Sequence, residues 1–522
     1  MTGETKMRRK KLFWGMIAAA LYVLLLVLLP VFEKASPEAN ILSIPLALWY
    51  SLTTLTTVGY GDLYPVTTAG RIIGVIFQLM SLGVLAVLVG AFVPLIWGRL
   101  LPDLTLRLRR KKEWFVFPGA SDAALTLARS LYAEDHQRVI IFCDETDRSV
   151  DRSDKLPFIL SPHDPATLAR LKGDGRISVF CMDESGAENE QLAHELEGCA
   201  CEVYCMTEHE PDRMPERRHC FDPYDSCARL YWRKFPLLSP AEKVVIVGDG
   251  KYAEAILASG LELNVLDCEM HAQYRVFGDY DNFRRDHYRL PAFVSIDAPC
   301  PQRDCLFFSA EPWSAHPEWL LDASRIVVCT DQESDAVDIL TELKRYFPVS
   351  CPIHAKISLA FDGVCRFGSA EELFSPEFVL RAGLNDTAMR MHEIYRRSAA
   401  GNAPAWSELS SFTRRSNIAS AEHLLVKIRI LLGESVIREV PLTRDICQKA
   451  YGVFAAADEA EKERFRRIEH ERWMRFHLMN NWTYAEKRDN AARLHPFIVP
   501  YESLSREEQL KNDFGWELLK EI

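Results

Sequence analysis

Residues Thr57, Val58, Gly59, Tyr60 and Gly61, within LTTLTTVGYGDLYP at 52–65, suit neither helix nor strand, yet they lie between two long apolar runs. Two glycines spaced two apart can take positive φ, where a Cβ would clash, so successive carbonyls can turn to one side. Carbonyl oxygens ringed about an axis, closed at the inner end by the Thr57 hydroxyl, replace the water around a dehydrated monovalent cation. One chain supplies only part of such a ring, so four copies around an axis are implied.

Two further groups carry chemistry. Gly248, Gly250 and Ala253 form a G-x-G-x-x-A turn directly after a β-rich run, and Asp267 stands nineteen residues beyond Gly248. That is the pattern in which amides at a helix start hold phosphates and an acid holds a ribose. A degraded version lies earlier, at Gly119, Ser121 and Ala124, with Asp144 and Glu145 ending the next β-rich run. Near the C-terminus, Trp482 and Tyr484 lie close to Lys487, Arg488 and Arg493, a set able to stack a base and neutralise phosphates. The same aromatics could equally anchor a small helical core.

The elements that position the first group are apolar. Leu12–Val31 is twenty residues without a charge, enough at about 1.5 Å per residue to cross a hydrocarbon layer of about 30 Å. A signal peptide is the competing reading of this run and its basic leader, but the run is long and lacks a convincing cleavage site. Ile72–Trp97 is a second uncharged run, interrupted by one amide, Gln78. Basic residues precede the first run (Lys6–Lys11) and follow the second (Arg99–Lys112), which predicts cytoplasmic termini. Between them SIPLALWYSLTTLTT is too short to span and reads as a half-inserted helix. Irregular backbone at that depth is tolerated where it lines a watery path. Gly83, Gly90 and Pro94 in the second run are candidate bending points of a gate; close packing of small residues is the plainer reading.

Residues 41–98, with TTVGYGDLYPVT followed by GR, resemble the pore module of two-helix bacterial potassium channels. The resemblance implies a homotetramer in the inner membrane of a bacterial cell, surrounded by lipid, with K+ as the permeant ion. It implies Trp49 and Tyr50 as an aromatic cuff around Tyr60, and Asp62 behind the filter. Thr53 stands where some relatives carry a Glu that shares a proton with that Asp, so that form of regulation is not expected. An Arg-rich voltage-sensing helix is missing from the sequence.

After a basic connector the pattern alternates β-rich runs with amphipathic segments. WFVFPGASDAALTLARSLYAEDHQRVIIFCDE and EKVVIVGDGKYAEAILASGLELNVLDCE share the order strand, turn, helix, strand; RISVFCMDES at Arg176 and RIVVCTDQES at Arg325 form a second matching pair. Following a two-helix pore, such tandem domains resemble the regulator of K+ conductance (RCK) family, which assembles eight domains into a cytoplasmic gating ring. Residues 271–322 depart from its pattern. The stretch 469–513 resembles the ryanodine-receptor repeat (RyR) domain on Trp473, Trp482-Thr483-Tyr484, His495-Pro496 and Pro500-Tyr501; by that resemblance Trp473 joins Trp482, Tyr484, Lys487, Arg488 and Arg493 as ligand candidates.

The expected organisation is a basic leader (1–11), an all-α two-transmembrane-helix pore module (12–98), a basic linker (99–112), two α/β Rossmann-like domains (113–240 and 241–375), a helical connector (376–460) and a small, mostly α C-terminal domain (461–522). Residues 1–112 hold 13 of the 62 basic and 5 of the 73 acidic residues, so the remainder is strongly acidic, which argues against nucleic acid as partner. All fourteen cysteines lie at or beyond Cys143. Their scatter suits a reducing cytosol, and Cys199, Cys201 and Cys205 read as core packing. The expected function is a potassium channel gated by a cytoplasmic small molecule: an adenine nucleotide, NAD(H), cyclic di-AMP or a divalent cation. A permanently open pore with a protein-binding RyR-like module, and a membrane-tethered NAD-dependent oxidoreductase, are the alternatives. No Cys/His or Ser/His/Asp constellation near the turns supports the enzyme.

Overall fold

A computed structural model describes residues 20–95, 101–143, 158–173, 176–398, 403–433 and 443–521. The chain divides into two compact units, Met1–Leu108 and Arg109–Ile522.

In the first unit residues 20–33 are helical, followed by α1 (Ile44–Leu55), α2 (Thr68–Leu95) and α3 (Leu101–Leu108). Pro45 sits in the first turn of α1, where a missing N–H costs nothing. Leu29, Ile41, Ala47, Tyr50, Ile73 and Phe77 form the buried centre. Glu33 is fully buried and accepts from the amides of Val66 (2.9 Å) and Thr67 (3.0 Å) and from the Thr67 hydroxyl (2.6 Å), which ties the entry of α2 to the end of the first helix. Gly70 permits this approach, since a Cβ there would lie 2.0 Å from the Glu33 carboxylate. Among the described residues no helix is long and apolar enough to cross a membrane. The expected first span falls partly on residues 12–19, outside the described set, and the second continues past Leu95 into residues 96–97, also outside it.

The second unit holds two wholly parallel sheets. In the first, β1 (Trp114–Phe117), β2 (Val139–Phe142), β3 (Ile159–Leu160), β4 (Ile177–Cys181), β5 (Glu202–Met206) and β6 (Arg218–Phe221) lie in the order β3-β2-β1-β4-β5-β6. In the second, β7 (Lys243–Val247), β8 (Gln273–Phe277), β9 (Val294–Ile296), β10 (Asp304–Ser309), β11 (Arg325–Val328), β12 (Ile353–Lys356) and β13 (Val364–Phe367) lie in the order β13-β12-β11-β7-β8-β10-β9. Apart from the extra edge strand β9, both follow the doubly wound order with one reversal point, beside β1 and beside β7. The paired motifs at Arg176 and Arg325 become β4 and β11, equivalent strands next to those reversal points. Strands such as β1, β2 and β11 are buried throughout, as expected when helices cover both faces.

Two expectations are corrected here. The run LNVLDC is not a strand: α8 (Lys251–Leu263), which follows α4 (Asp122–Glu134), α5 (Pro165–Lys172), α6 (Gly186–Glu195) and α7 (Pro223–Lys234), ends at Asn264, and the chain stays irregular until β8. Val265 is buried and its carbonyl accepts from the His423 ring (3.1 Å), so tertiary contact claims the apolar run. Residues 271–322, which had looked foreign to the pattern, supply β8, β9 and β10.

Helices α9 (Glu333–Tyr346), α10 (Asp386–Ser398), α11 (Ser411–Leu432), α12 (Arg444–Ala456) and α13 (Glu459–Met479), with the short parallel pair β14 (Thr483–Tyr484) and β15 (Leu494–His495), complete the chain. The expected boundaries at 240, 375 and 460 fall inside this unit. Buried charges join the C-terminal helices to the sheets. Glu422 of α11 receives Arg229 (2.7 Å) and Arg233 (2.5 Å) of α7, and Arg475 of α13 meets Asp304 of β10 at 2.5 Å. Glu469 accepts from His423 (2.9 Å), Lys427 (2.6 Å) and Arg472 (2.6 Å); burial raises its carboxyl pKa, but Arg472 and Lys427 outweigh that and hold it well below the ordinary range.

Candidate functional site

The loop after α1 takes positive φ at Thr57 (61°), Gly59 (53°) and Gly61 (76°), but at neither Val58 nor Tyr60. Alternating the sign of φ in successive residues turns their carbonyls toward one side instead of alternate sides. The amides of Val58 and Gly59 are both bonded to the Thr53 carbonyl, at 2.9 and 3.1 Å, which fixes the loop against the end of α1. Thr57 bears a Cβ in this region, a strain of order 1–3 kcal/mol that surrounding structure must offset. The Trp49 ring stacks on Tyr60 (centroids 5.9 Å apart, planes 5° apart), and its indole N–H donates to Asp62 at 3.0 Å. Tyr50 does not join that stack within the chain: it is buried edge-on against Phe77 at 6.4 Å, beside Gly74 of α2. Helix α2 runs unbroken through Gly83, Gly90 and Pro94, and among the described residues nothing would lie within 4 Å of a Cβ on Gly83 or Gly90. Glu33 is the residue that sequence reasoning missed in this unit; a lone charge just after the apolar run 12–31 gives no local sign of the amides that it meets.

The turn from β7 to α8 has the glycines that its sequence requires, with φ of 122° at Gly248 and 87° at Gly250. A Cβ on Gly248 would meet the Cys329 carbonyl at 2.1 Å. The space that a phosphate would need is filled from within. A Cβ on Gly250 would lie 2.4 Å from an oxygen of Asp331, whose carboxylate receives the amides of Lys251 (3.4 Å) and Tyr252 (3.3 Å) at the start of α8. Gly119 repeats the arrangement: a Cβ there would lie 2.8 Å from Asp183, while Ser121 caps α4 by accepting from Ala124 at 3.2 Å. Asp183 and Asp331 are the shared acids of the two matching motifs. The signal that could have found them was in the duplication itself.

Asp267 requires a correction. It precedes β8, at the opposite edge of the sheet from the glycine turn, where it accepts from Glu269 at 2.7 Å and lies 3.8 Å from Arg464. The acid that follows the second strand is Asp279, whose amide donates to Asp249 at 3.1 Å. Asp144 and Glu145 lie outside the described residues. The residues present do not fit a dinucleotide in the usual pose: the Asp331 carboxylate stands where its phosphates would go, and Asp249 and Asp279 add like charge.

In the C-terminal module Trp482 is a core residue, 3% exposed and stacked on Phe412 of α11 at 4.8 Å. Trp473 packs on His477 at 3.9 Å and on His495 at 4.8 Å. Burial pushes His477 down to about 3 and His495 to about 4, so both rings are neutral packing elements at neutral pH. Tyr484 is 52% exposed on β14, and Lys487, Arg488 and Arg493 are exposed as well. Arg488 donates to Asn490 at 2.8 Å, and Arg493 donates to the Asn480 carbonyl at 3.0 Å. Of the six candidates, four therefore present surface, Trp482 is buried and Trp473 is half-buried against the two histidines. Among the described residues no group of histidine, cysteine and acidic side chains could hold a metal ion.

Residues 12–97 match the model of a family described as an ion channel. Over 54 residues the chain is 46% identical to the A-type voltage-gated potassium channel KCND3 of Rattus norvegicus and of Oryctolagus cuniculus, a stretch that covers 10% of this chain and 8% of each relative. The N-terminal module is thus similar to channel pores. Among solved structures, GsuK bound to ADP aligns over 71% of this chain and 99% of its own at 17% identity and a TM-score of 0.35. GsuK bound to NAD aligns over 72% and 84% at 13% identity and a TM-score of 0.33. Likeness that low carries no argument about this chain's domains.

Proposed function

We propose that four copies of this chain form a potassium-selective channel whose Arg109–Ile522 unit is a cytoplasmic sensor of a small molecule. The observation that carries the reading is the alternation of positive φ at Thr57, Gly59 and Gly61 in a loop braced on the Thr53 carbonyl, in a segment similar to channel pores. The carbonyls of such a loop, repeated fourfold, strip and replace the hydration of K+. Trp49, held by Tyr60 and Asp62, keeps the ring from widening, and Tyr50 braces the outer side of α1 on α2. Helix α2, 28 residues long, carries the described part of the second apolar run and takes the place of the inner, pore-lining helix in this reading. Gly83, Gly90 and Pro94 are its bending candidates.

A ligand biases the pore only through different affinity for two shapes of the sensor, and coupling of about 1–3 kcal/mol per site multiplies over four subunits. Carboxylates in both glycine turns weigh against NAD-dependent chemistry there. Purified chain in liposomes tests the reading. Potassium flux with sodium largely excluded is expected, together with a fourfold assembly; equal passage of both ions would defeat it.

A further inference from the structure

A cleft of about 1490 Å³ opens at the N-terminal edge of the second sheet, the edge opposite the glycine turn. Its floor is made by the starts of β11 and β12, and its walls by the end of α7 and by residues 372–390. The chain as a whole carries a net charge of −11, yet six cationic side chains face this cleft against four acidic ones.

Of those cations, Arg233 is taken by Glu422, and Arg429 donates to the Arg233 carbonyl at 2.5 Å. Arg325 is consumed by the fold: it is buried, pairs with Glu242 at 2.7 Å and donates to the Phe235 and Pro236 carbonyls. Lys234, Arg381 and Arg390 are exposed. The ammonium of Lys234 reaches the Arg366 carbonyl at 3.0 Å, and Arg390 meets Asp386 at 2.9 Å. Such exposed pairs contribute little and exchange readily. Phe235, half-buried, stacks on His354 at 4.3 Å, and Phe378 lies across the cleft lining. His354, buried at the cleft floor, has its Nδ1 bonded to the Tyr231 hydroxyl at 2.9 Å. An aromatic wall beside guanidinium forks and an ammonium is the combination that recognises an aromatic ring bearing phosphate.

We propose that this cleft binds an organic phosphate carrying an aromatic ring, with Lys234, Arg381 and Arg390 on the phosphates and Phe235 and Phe378 against the ring. The site rests on the sensor reading above only for its consequence. Arg381 also pairs with Glu134 of α4 in the first Rossmann-like domain. A phosphate that takes Arg381 competes with that bridge, and so connects occupancy of the cleft to the contact between the two domains.

The test uses the full chain in detergent, with equilibrium dialysis against labelled ATP and, separately, inorganic pyrophosphate. ATP binding is expected, pyrophosphate binding weaker, and at least a tenfold loss of ATP affinity in K234E and in R390E at an unchanged melting temperature. K511E, at an exposed lysine of the C-terminal module, is expected to leave ATP affinity as it was. Absence of ATP binding, or binding that K234E and R390E leave intact, overturns the site. Both outcomes are independent of ion flux, so a chain that binds ATP but passes no potassium would sink the channel reading and keep this one.

Discussion

The molecule contains two G-x-G turns that look alike in sequence and do opposite things with their glycines. At Gly59 and Gly61 the positive φ is the requirement and space is not, because a Cβ at either position would meet nothing within 4 Å. At Gly248 and Gly250 space is the tighter demand, since a Cβ would collide with the Cys329 carbonyl and the Asp331 carboxylate. In the channel reading proposed above, the first turn presents its carbonyls to a cation. The second directs amides at an anion and then supplies that anion from its own chain. A glycine pair therefore reports a backbone need, and only the neighbours say whether a ligand is invited.

The largest effect that separates the two turns is expected from G59A. An alanine forced to left-handed φ costs about 1–2 kcal/mol, and four subunits place that cost around one ring. Potassium flux from liposomes should fall at least a hundredfold while the assembly keeps its size on gel filtration. Undiminished flux would mean that the loop carries no filter. G250A should act on stability instead: the new Cβ strikes Asp331, and overpacking of this kind costs about 1–3 kcal/mol. Thermal melting reads that loss. The double variant G250A/D331G should recover only the part of the loss that comes from the collision, because the two changes share one contact, and leave the cost of an alanine at a φ of 87°; a fully additive result would place the whole loss in the backbone.

A smaller effect sharpens the claim that the second turn is filled from within. D331N keeps the shape of the side chain and removes its charge. If the carboxylate is what keeps phosphate away, NAD+ affinity measured by calorimetry should rise about tenfold, a change of about 1.4 kcal/mol. Equal affinity in D331N and the unaltered chain would show that the acid is only a helix-start partner.

How much of this was legible beforehand depended on whether a feature was local. The β1–α4 and β7–α8 turns and the equivalent strands β4 and β11 follow from short runs whose periodicity and glycines agree with their setting. Asp267 failed because its strand was inferred from the apolar run around Val265. That run is buried by contact with His423, 158 residues away, and no local pattern reveals such a partner. Trp482 could be read as base platform or as core, and Phe412 of α11 decided it. Glu33 was invisible for a related reason: a carboxylate that closes a helix start shows its role only when the amides of Val66 and Thr67 are seen on it.

A pH series tests whether the aromatic cluster around Trp473 and Trp482 is core. His477, held near 3 by burial, refuses the proton that it takes at about 6.5 when unfolded. Its contribution to stability is therefore complete above pH 6.5 and is lost as pH falls from there toward about 3, with up to about 2 kcal/mol gone at pH 5. Other groups titrate in the same window: Asp222 and Glu262 are pushed up to about 7 by burial and act in the opposite direction. The raw slope of melting temperature against pH thus mixes signs. The difference between the unaltered chain and H477Q cancels those acids, and glutamine retains a donor for the Trp473 carbonyl that His477 meets at 2.9 Å. Between pH 7 and 5 the variant should lose less stability than the parent by about one proton's worth. Parallel curves would show that His477 is hydrated, and that the cluster is a surface and not a core.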